Sequence, residues 1–347
     1  MKKIIAMLLA LMLVLGLVAC GSTNEPAAQP APEAAPEAAP EAAPEAAPEA
    51  APAGATYTIG ISQLVQHVAL DAATQGFIDA VNETMGEGVV EFDVQNASND
   101  TNVCATIATS FVSKGVDLIL ANATPALQAA ANATLDIPIL GTSVTEYGVA
   151  MGIENFSGTV GGNISGTSDL APLSEQAAML VELFPEAKNV ALIYCSAEAN
   201  SQYQVDVVKA ELEGKGLTAE LYPFSDSNDL AQVAPAACQF ADVLYVPPDN
   251  TVASATGTID GIARPAGVPI IAGEEGICSG CGVATLSISY YDLGYTTGKM
   301  AVKILKDGED VSNMPIEYAE KQTPKYNKQN CEALGIKPLE GYTAIEE

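Results

Sequence analysis

The sequence predicts an α/β protein of two lobes, each a parallel sheet covered by helices, behind a long non-globular N-terminal segment. Two observations carry this expectation. From about residue 56, short aliphatic and β-branched runs alternate with longer runs whose apolar residues recur at helical spacing, which is the rhythm of a parallel sheet with covering helices. The alternation then breaks at a Gly/Ser-rich stretch, Ser157 to Asp169, and restarts with segments of similar length.

The first series opens with a strand over Thr56–Ser62, where Tyr57, Ile59 and Ile61 share one side. Leu70, Ala73, Phe77 and Val81 give Ala69–Thr84 a helical stripe. A strand over Val89–Gln95, a helix over Thr101–Ser113 and a buried-type strand over Asp117–Ala121 follow. Pro125 suits the first turn of a helix over Pro125–Ala133, and Ile137–Gly141 is the next strand. The second series reads as helix Leu173–Phe184, strand Asn189–Cys195, helix Ser201–Glu213, strand Leu217–Tyr222 and helix Asp229–Phe240. Strand Asp242–Val246, helix Val252–Arg264, strands Val268–Ala272 and Val283–Ile288, and helix Tyr291–Lys306 complete it.

At the N-terminus, Lys2 and Lys3 precede an apolar run from Ile4 to Ala19. That run has the length of a signal-peptide core and is marginal for a spanning helix, which needs roughly 20 apolar residues. It ends at Leu17-Val18-Ala19-Cys20-Gly21, which resembles a bacterial lipobox. The expectation is a signal peptide over 1–19 and lipidation at Cys20; a plain signal anchor with an incidental cysteine is the alternative. Two or three acyl chains would hold the protein at a membrane surface. From Glu25 to about Ala53 the chain repeats Ala-Pro-Glu-Ala. Frequent proline and repelling glutamates make residues 20–55 a solvated tether.

Composition removes several function classes. The chain is 48% hydrophobic, enough for real cores, and carries a net charge of -29, which argues against nucleic acid as a partner. Apart from Cys20, six cysteines remain, and only Cys278-Ser279-Gly280-Cys281 is suggestively spaced. A zinc site would want a second pair or histidines, and His67 is the single histidine. No metal and no cofactor are expected, and a local disulfide or two free thiols are both open at Cys278 and Cys281. There is no Gly-x-Ser-x-Gly elbow, no Walker loop and no dinucleotide glycine fingerprint after the first strand, and no catalytic residue is assigned. Glu274-Glu275 read as solvated charge at a helix start.

Open α/β sheets bind ligands beyond the carboxyl ends of their strands. That rule selects loops 62–68, 96–100, 122–125 and 142–147 in the first half. In the second half it selects 196–201, 223–228, 247–251 and 273–276. Asn122-Ala123-Thr124-Pro125 and Pro247-Pro248-Asp249-Asn250-Thr251 occupy equivalent places, each leading into a helix whose N-terminus suits an anionic group. Asp249 suits a ligand ammonium, and Thr124 or Thr251 a ligand carboxylate. Helix capping is the competing role for Thr124, Asp249, Asn250 and Ser201. Glu198, Asn200, Ser62 and Thr145 are further candidate contacts. Arg264 is the single arginine, so no guanidinium clamp for multiply charged anions is evident.

The chain also resembles a known family, the substrate-binding lipoproteins of ABC transporters associated with tryptophan and tyrosine uptake, from about Thr58 to Ile336. The matching stretches are Ile59-Gly60-Ile61-Ser62-Gln63-Leu64, Leu70-Asp71-Ala72-Ala73, Ala123-Thr124-Pro125-Ala126 and Asn163-Ile164-Ser165-Gly166. Glu198-Ala199-Asn200-Ser201, Pro248-Asp249-Asn250-Thr251-Val252-Ala253-Ser254 and Tyr290-Tyr291-Asp292-Leu293-Gly294 complete the set. In this order and spacing they are specific. The resemblance implies a type I periplasmic-binding fold, two Rossmann-like lobes joined by hinge strands. Lobe 1 is expected over 56–168 with about 287–312, and lobe 2 over about 169–286 with about 313–347.

The resemblance further implies an extracytoplasmic protein, not an enzyme, that closes on a small amino-acid-like ligand, aromatic favoured. It would deliver the ligand to an ABC permease and its ATPase while held to the membrane by lipid. The resemblance and the strand-end rule together place Thr124, Asn200, Ser201, Asp249 and Asn250 foremost. Where relatives often show Thr-Asp-Pro, this chain has Thr145-Glu146-Tyr147 at an expected cleft edge. A ligand-sensing surface lipoprotein, or a binder of a nucleoside, sugar or peptide, are the rival readings.

Overall fold

The computed structural model describes residues 56–319 and 321–345. The expected signal peptide, Cys20 and the tether lie outside the described residues.

The first series folds as β1 (Tyr57–Gln63), α1 (Val68–Met85), β2 (Val90–Asn96), α2 (Thr101–Lys114), β3 (Leu118–Asn122), α3 (Thr124–Ala133), β4 (Ile139–Val144), α4 (Tyr147–Met151) and β5 (Ile164–Ser168). β3, β4 and β5 are buried along their whole length, which explains their lack of polar alternation. Helix ends follow local chemistry. The Asp100 carboxylate accepts from the backbone N–H groups of Asn102 and Val103 to start α2, and Gly115, at φ +67°, ends it.

The second series comprises α5 (Leu173–Leu183), β6 (Asn189–Cys195), α6 (Ala199–Gly214), β7 (Thr218–Phe224), α7 (Ser227–Phe240) and β8 (Val243–Val246). It continues through α8 (Asn250–Ala253), α9 (Thr256–Ala266), β9 (Ile270–Ala272), α10 (Glu275–Gly280) and β10 (Ala284–Ile288). The chain then forms α11 (Tyr290–Asp307), β11 (Glu317–Tyr318), β12 (Gln322–Tyr326), α12 (Lys328–Leu334) and β13 (Thr343–Ala344).

Two sheets result. The first runs β2-β1-β3-β4-β5-β11, and all its pairs are parallel. The second runs β7-β6-β8-β9-β10-β12-β13, parallel except where β12 returns against β10. Each therefore contains the doubly wound order 2-1-3-4-5, with a topological switch between its first and third strands. Separate apolar clusters cover the faces of each sheet, such as Phe77, Val81, Leu118 and Met300 on the first and Leu192, Val208, Leu212 and Tyr245 on the second.

The chain passes between the sheets after β5, after β10 and after β11. Because β11 pairs with β5, re-entry into the second sheet comes at Gln322, later than the expected point near residue 313. A small cluster of Ala69, Ala73, Ile288, Tyr290 and Leu293 packs at the second crossing. There α1 and α11 meet backbone to backbone. A Cβ on Gly76 would strike the Tyr291 carbonyl, and one on Gly294 the Ala73 carbonyl, so both positions need glycine.

Three expectations are corrected. β5 lies inside the Gly/Ser-rich stretch 157–169, where no strand was expected; its small residues fit because the Tyr147 ring fills the space beside Gly141 and Gly166. Tyr147 accordingly turns into the core, where its hydroxyl donates to the Thr167 carbonyl at 3.0 Å, and does not stand at a cleft edge. The expected helix over Val252–Arg264 is two helices. The Ser254 hydroxyl donates to the Thr251 carbonyl, and Ala255 leaves helical geometry at φ −133°, ψ 27°.

Candidate functional site

The loops at the strand tips of both sheets converge, and the topology fixes which residues they present. At the switch of the first sheet, Ser62 lies one residue before the end of β1, and Ala123 and Thr124 follow β3. Ala123 has φ +98°, and Ser143, at the tip of β4, has φ +54°. Strained non-glycine backbone of this kind persists only where surrounding structure over-determines it, and it gathers at functional sites. At the switch of the second sheet, Glu198 follows β6 and Asp249 follows β8.

An inner site lies where these tips meet. Ser143, Asp169 and His67 line it from the first lobe and the crossings; Asn200, Asp249, Asn250 and Glu274 line it from the second, with Tyr290 from the second crossing. Three lining carboxylates, Asp169, Asp249 and Glu274, are each less than 5% exposed, and no lysine or arginine lines the site. The Tyr290 hydroxyl donates to Asp169 Oδ2 at 2.8 Å. Asp249 accepts from the backbone N–H of Cys195 at 2.6 Å and caps α8 through Val252 N–H at 2.9 Å. Glu274 caps α10 through the N–H groups of Gly276 and Ile277; the expectation of solvated charge is overturned because its loop folds under the strand tips.

Burying carboxylates without cations shifts their titration. Burial raises the Asp169 carboxyl above the usual carboxylate range, against the pull of the Tyr290 hydroxyl. Burial pushes Glu274 up to about 7. Asp249 is raised by burial and by the Glu198 charge beside it. Burial lowers His67, with Asn250 and nearby carboxylates pulling the other way.

Several buried polar atoms here have no partner among the described residues: the Ser62, Thr124 and Ser143 hydroxyls, Asp169 Oδ1 and Asn200 Oδ1. Such orphans are rare in native interiors and each calls for an explanation. Ser143, Asp169 and Asn200 line the inner site, from both sheets, whereas Ser62 and Thr124 are buried at the first-sheet tips and do not line it.

Glu198 plays a different part. Its Oε2 accepts from Asn250 N–H at 3.1 Å and from Asn250 Nδ2 at 2.6 Å. Its Oε1 accepts from Thr251 N–H at 2.9 Å and the Thr251 hydroxyl at 2.8 Å. From the first lobe, Asn99 Nδ2 donates to Thr251 Oγ1 at 2.9 Å, and His67 Nε2 lies 3.2 Å from Asn250 Oδ1. That amide oxygen only accepts, so His67 carries its proton on Nε2. Two relays thus run from the first lobe into the two oxygens of one carboxylate.

Of the residues expected at the site, Asn200, Asp249 and Asn250 line its wall. Ser201 stands behind Asp249, and Thr145 behind Asp169. Ser201 is not an N-cap, because α6 already begins at Ala199. Ser62 and Thr124 are buried at the first-lobe tips with free hydroxyls. Thr251 is fully engaged by Glu198 and Asn99. Ser143, His67 and Glu274 went unranked although the strand-end rule had selected their loops. Asp169 and Tyr290 were missed as site residues. Cys278 and Cys281 are both free thiols.

Beside the inner site, and sharing His67, Ala69, Ala253, Glu274 and Tyr290 with it, opens a chamber of about 520 Å³.

A family model described as ABC transporter substrate binding protein matches residues 58–342. A tyrosine-binding protein of Clostridioides difficile is 37% identical over 284 residues, 81% of this chain and 81% of that protein. Among solved structures, an ABC domain in complex with L-Trp from Streptococcus pneumonia is 31% identical with a TM-score of 0.79, covering 83% of this chain and 99% of that one. The ligand-free, open structure of a substrate-binding protein with adhesive properties from Clostridium difficile is 38% identical with a TM-score of 0.64, covering 84% and 99%. A leucine-binding protein from Thermotoga maritima, 16% identical with a TM-score of 0.56 over 74% of this chain and 85% of that one, shares the fold. The fold is that of the type I periplasmic-binding proteins.

Proposed function

Because this chain belongs to the family of ABC transporter substrate-binding proteins, we propose that it captures an aromatic amino acid, tyrosine or tryptophan, by closing two lobes over it. The observation that carries this reading is the division of labour in the inner site. The buried carboxylates that line it without a cation await an ammonium group, and the partnerless Ser143 hydroxyl on its wall, with those of Ser62 and Thr124 at the same first-lobe tips, awaits a carboxylate. A zwitterion satisfies both at once, whereas a neutral sugar leaves the acids uncompensated. The names of the relatives point to the same ligand class.

Closure follows from linkage. A ligand that touches both lobes binds the shut form better and shifts the population toward it. The relays from His67 and Asn99 into Glu198 exist only with the lobes together, and the chain superposes better on the tryptophan complex than on the open relative, although it is more identical to the latter. The closed form would then hand its ligand to a membrane permease driven by an ATPase. In this reading Cys20 is lipidated outside the cytoplasmic membrane and the Ala-Pro-Glu segment is a spacer. Mass spectrometry of the membrane fraction tests the anchor: a diacylated or triacylated N-terminal Cys20 supports it, and an intact Met1 or free Cys20 refutes it.

Titration calorimetry of the protein against tyrosine, tryptophan and a sugar set tests the ligand class. One amino acid bound per chain is expected, with no heat from the sugars. Saturable sugar binding without amino-acid binding would refute the proposal.

A further inference from the structure

Glu274 reaches the inner site on a short turn between β9 and α10, and side chains from outside that turn clip it on both sides. The last parallel pair of β9 and β10 is Ala272 with Thr285, and beyond it the two strands part. Gln176 of α5 sits at the parting, fully buried. Its Nε2 donates to the Gly273 carbonyl at 3.1 Å and to the Leu286 carbonyl at 3.4 Å. Its Oε1 accepts from the hydroxyl of Tyr245, in β8, at 2.6 Å. On the far side of Glu274, the Ser287 hydroxyl accepts from Glu275 N–H at 3.1 Å.

Gly273 also spaces the two acid-bearing tips of the second sheet. Its N–H donates to the Val246 carbonyl at 2.7 Å, and a Cβ there would strike Pro248, the residue before Asp249. The tips of β8 and β9 thus lie backbone against ring, and the place of Gly273 sets how Glu274 stands relative to Asp249.

This placement opposes the electrostatics. Glu274 faces the charges of Glu275 and Asp169 and shares its wall with Asp249 and Tyr290. Lys325 is paired with Glu275, and burial holds His67 toward its neutral form. Burial pushes the Cys278 and Cys281 thiols far up, so they add no charge. Repulsion and hydration both draw the Glu274 carboxylate outward, and only the clips hold the turn in.

We infer that Gln176 and Tyr245 are positioning residues for ligand capture: they pin the Gly273–Glu274 tip so that Glu274 and Asp249 stand ready for one ammonium group. The inference rests on the amino-acid reading above and adds the residues that arrange its acids in advance. Arrangement in advance spares the ligand the cost of gathering them.

Gln176→Met keeps the length of the side chain and removes its three hydrogen bonds. Tyr245→Phe removes one and leaves both donor bonds of Gln176. Calorimetry with tyrosine and tryptophan at about pH 6, in two buffers of different ionisation enthalpy, reads affinity and proton release together. Glu274, pushed up to about 7 by burial, is protonated at that pH in the empty protein and ionises against the ammonium. A freed tip meets water and is ionised before the ligand arrives. Gln176→Met is therefore expected to weaken binding roughly tenfold and to lower the release by roughly half a proton or more. Tyr245→Phe is expected to shift both in the same direction by less. Wild-type affinity in Gln176→Met, or lost affinity with wild-type proton release, marks a purely structural role and overturns the inference alone. If Gln176→Met fails to fold, either of those results in Tyr245→Phe overturns it. A wild-type protein that binds neither amino acid overturns the functional reading and the inference with it.

Discussion

Asp249→Ala is expected to weaken tyrosine or tryptophan binding by about 100-fold. Removing one member of a buried charge pair costs about 2–5 kcal/mol, and each 1.4 kcal/mol is about tenfold. Asp249 is 1% exposed at the switch of the second sheet, and its neighbours Glu274 and Asp169 leave no spare cation to reorganise around. The variant also loses the α8 cap and the acceptor for Cys195 N–H, so its unfolding midpoint falls too. Affinity and stability therefore need separate measurement. A calorimetric affinity within threefold of wild type would remove Asp249 from the ligand's contacts.

The same carboxylates set a pH dependence with a definite sign. Asp169, Asp249 and Glu274 titrate above their ordinary range in the folded chain. Their contribution to the stability of the empty protein is therefore present below the unfolded pKa of about 4 and is lost as pH rises through the folded values, near 7 for Glu274. A ligand ammonium favours the ionised forms. Binding thus releases protons, and affinity should rise from pH 5 toward pH 8 by up to about tenfold per unit for each proton released.

Glu198→Ala is the second large effect, and it falls on folding rather than on ligand. Four donors from Asn250 and Thr251 end on this carboxylate, and each buried donor left without an acceptor costs about 1–3 kcal/mol. A loss of about 3 kcal/mol or more in urea unfolding is expected. The His67 and Asn99 relays would lose their terminus at the same time, which shifts the empty protein toward the open form. A direct ligand contact would behave in the opposite way, with affinity lost and the midpoint kept. Circular dichroism across a urea series separates the two.

These roles show where the sequence was legible. β6 falls on the expected residues, and the boundaries of α2 and α5 differ from expectation by one residue, because aliphatic periodicity is a direct record of which face is buried. The strand-tip loops were legible for a related reason: once the strand order is known, topology alone says where a ligand lies. What stayed hidden depends on contacts far apart in sequence. β5 is made of Ile164-Ser165-Gly166-Thr167-Ser168, with no strand-like bulk, and it is stable because Tyr147 fills the space its small residues leave. Missing that strand concealed Asp169 at its tip. Glu274 and Glu275 look alike as neighbours, yet one is 3% exposed and the other pairs with Lys325 near the chamber mouth. Glu198 looked like a ligand contact because it lies at the right tip; that its oxygens are already taken is visible only when α8 is folded beside it.

In the proposed closed form one amino acid, gripped by its ammonium and carboxylate, joins the two sets of strand tips. A crystal structure of the protein grown with tyrosine measures this directly. A single ligand is expected at the inner site, its ammonium within hydrogen-bond distance of Asp249 or Asp169 and its carboxylate facing the first-lobe hydroxyls. Tyrosine held by one lobe alone, or found away from these tips, would contradict it.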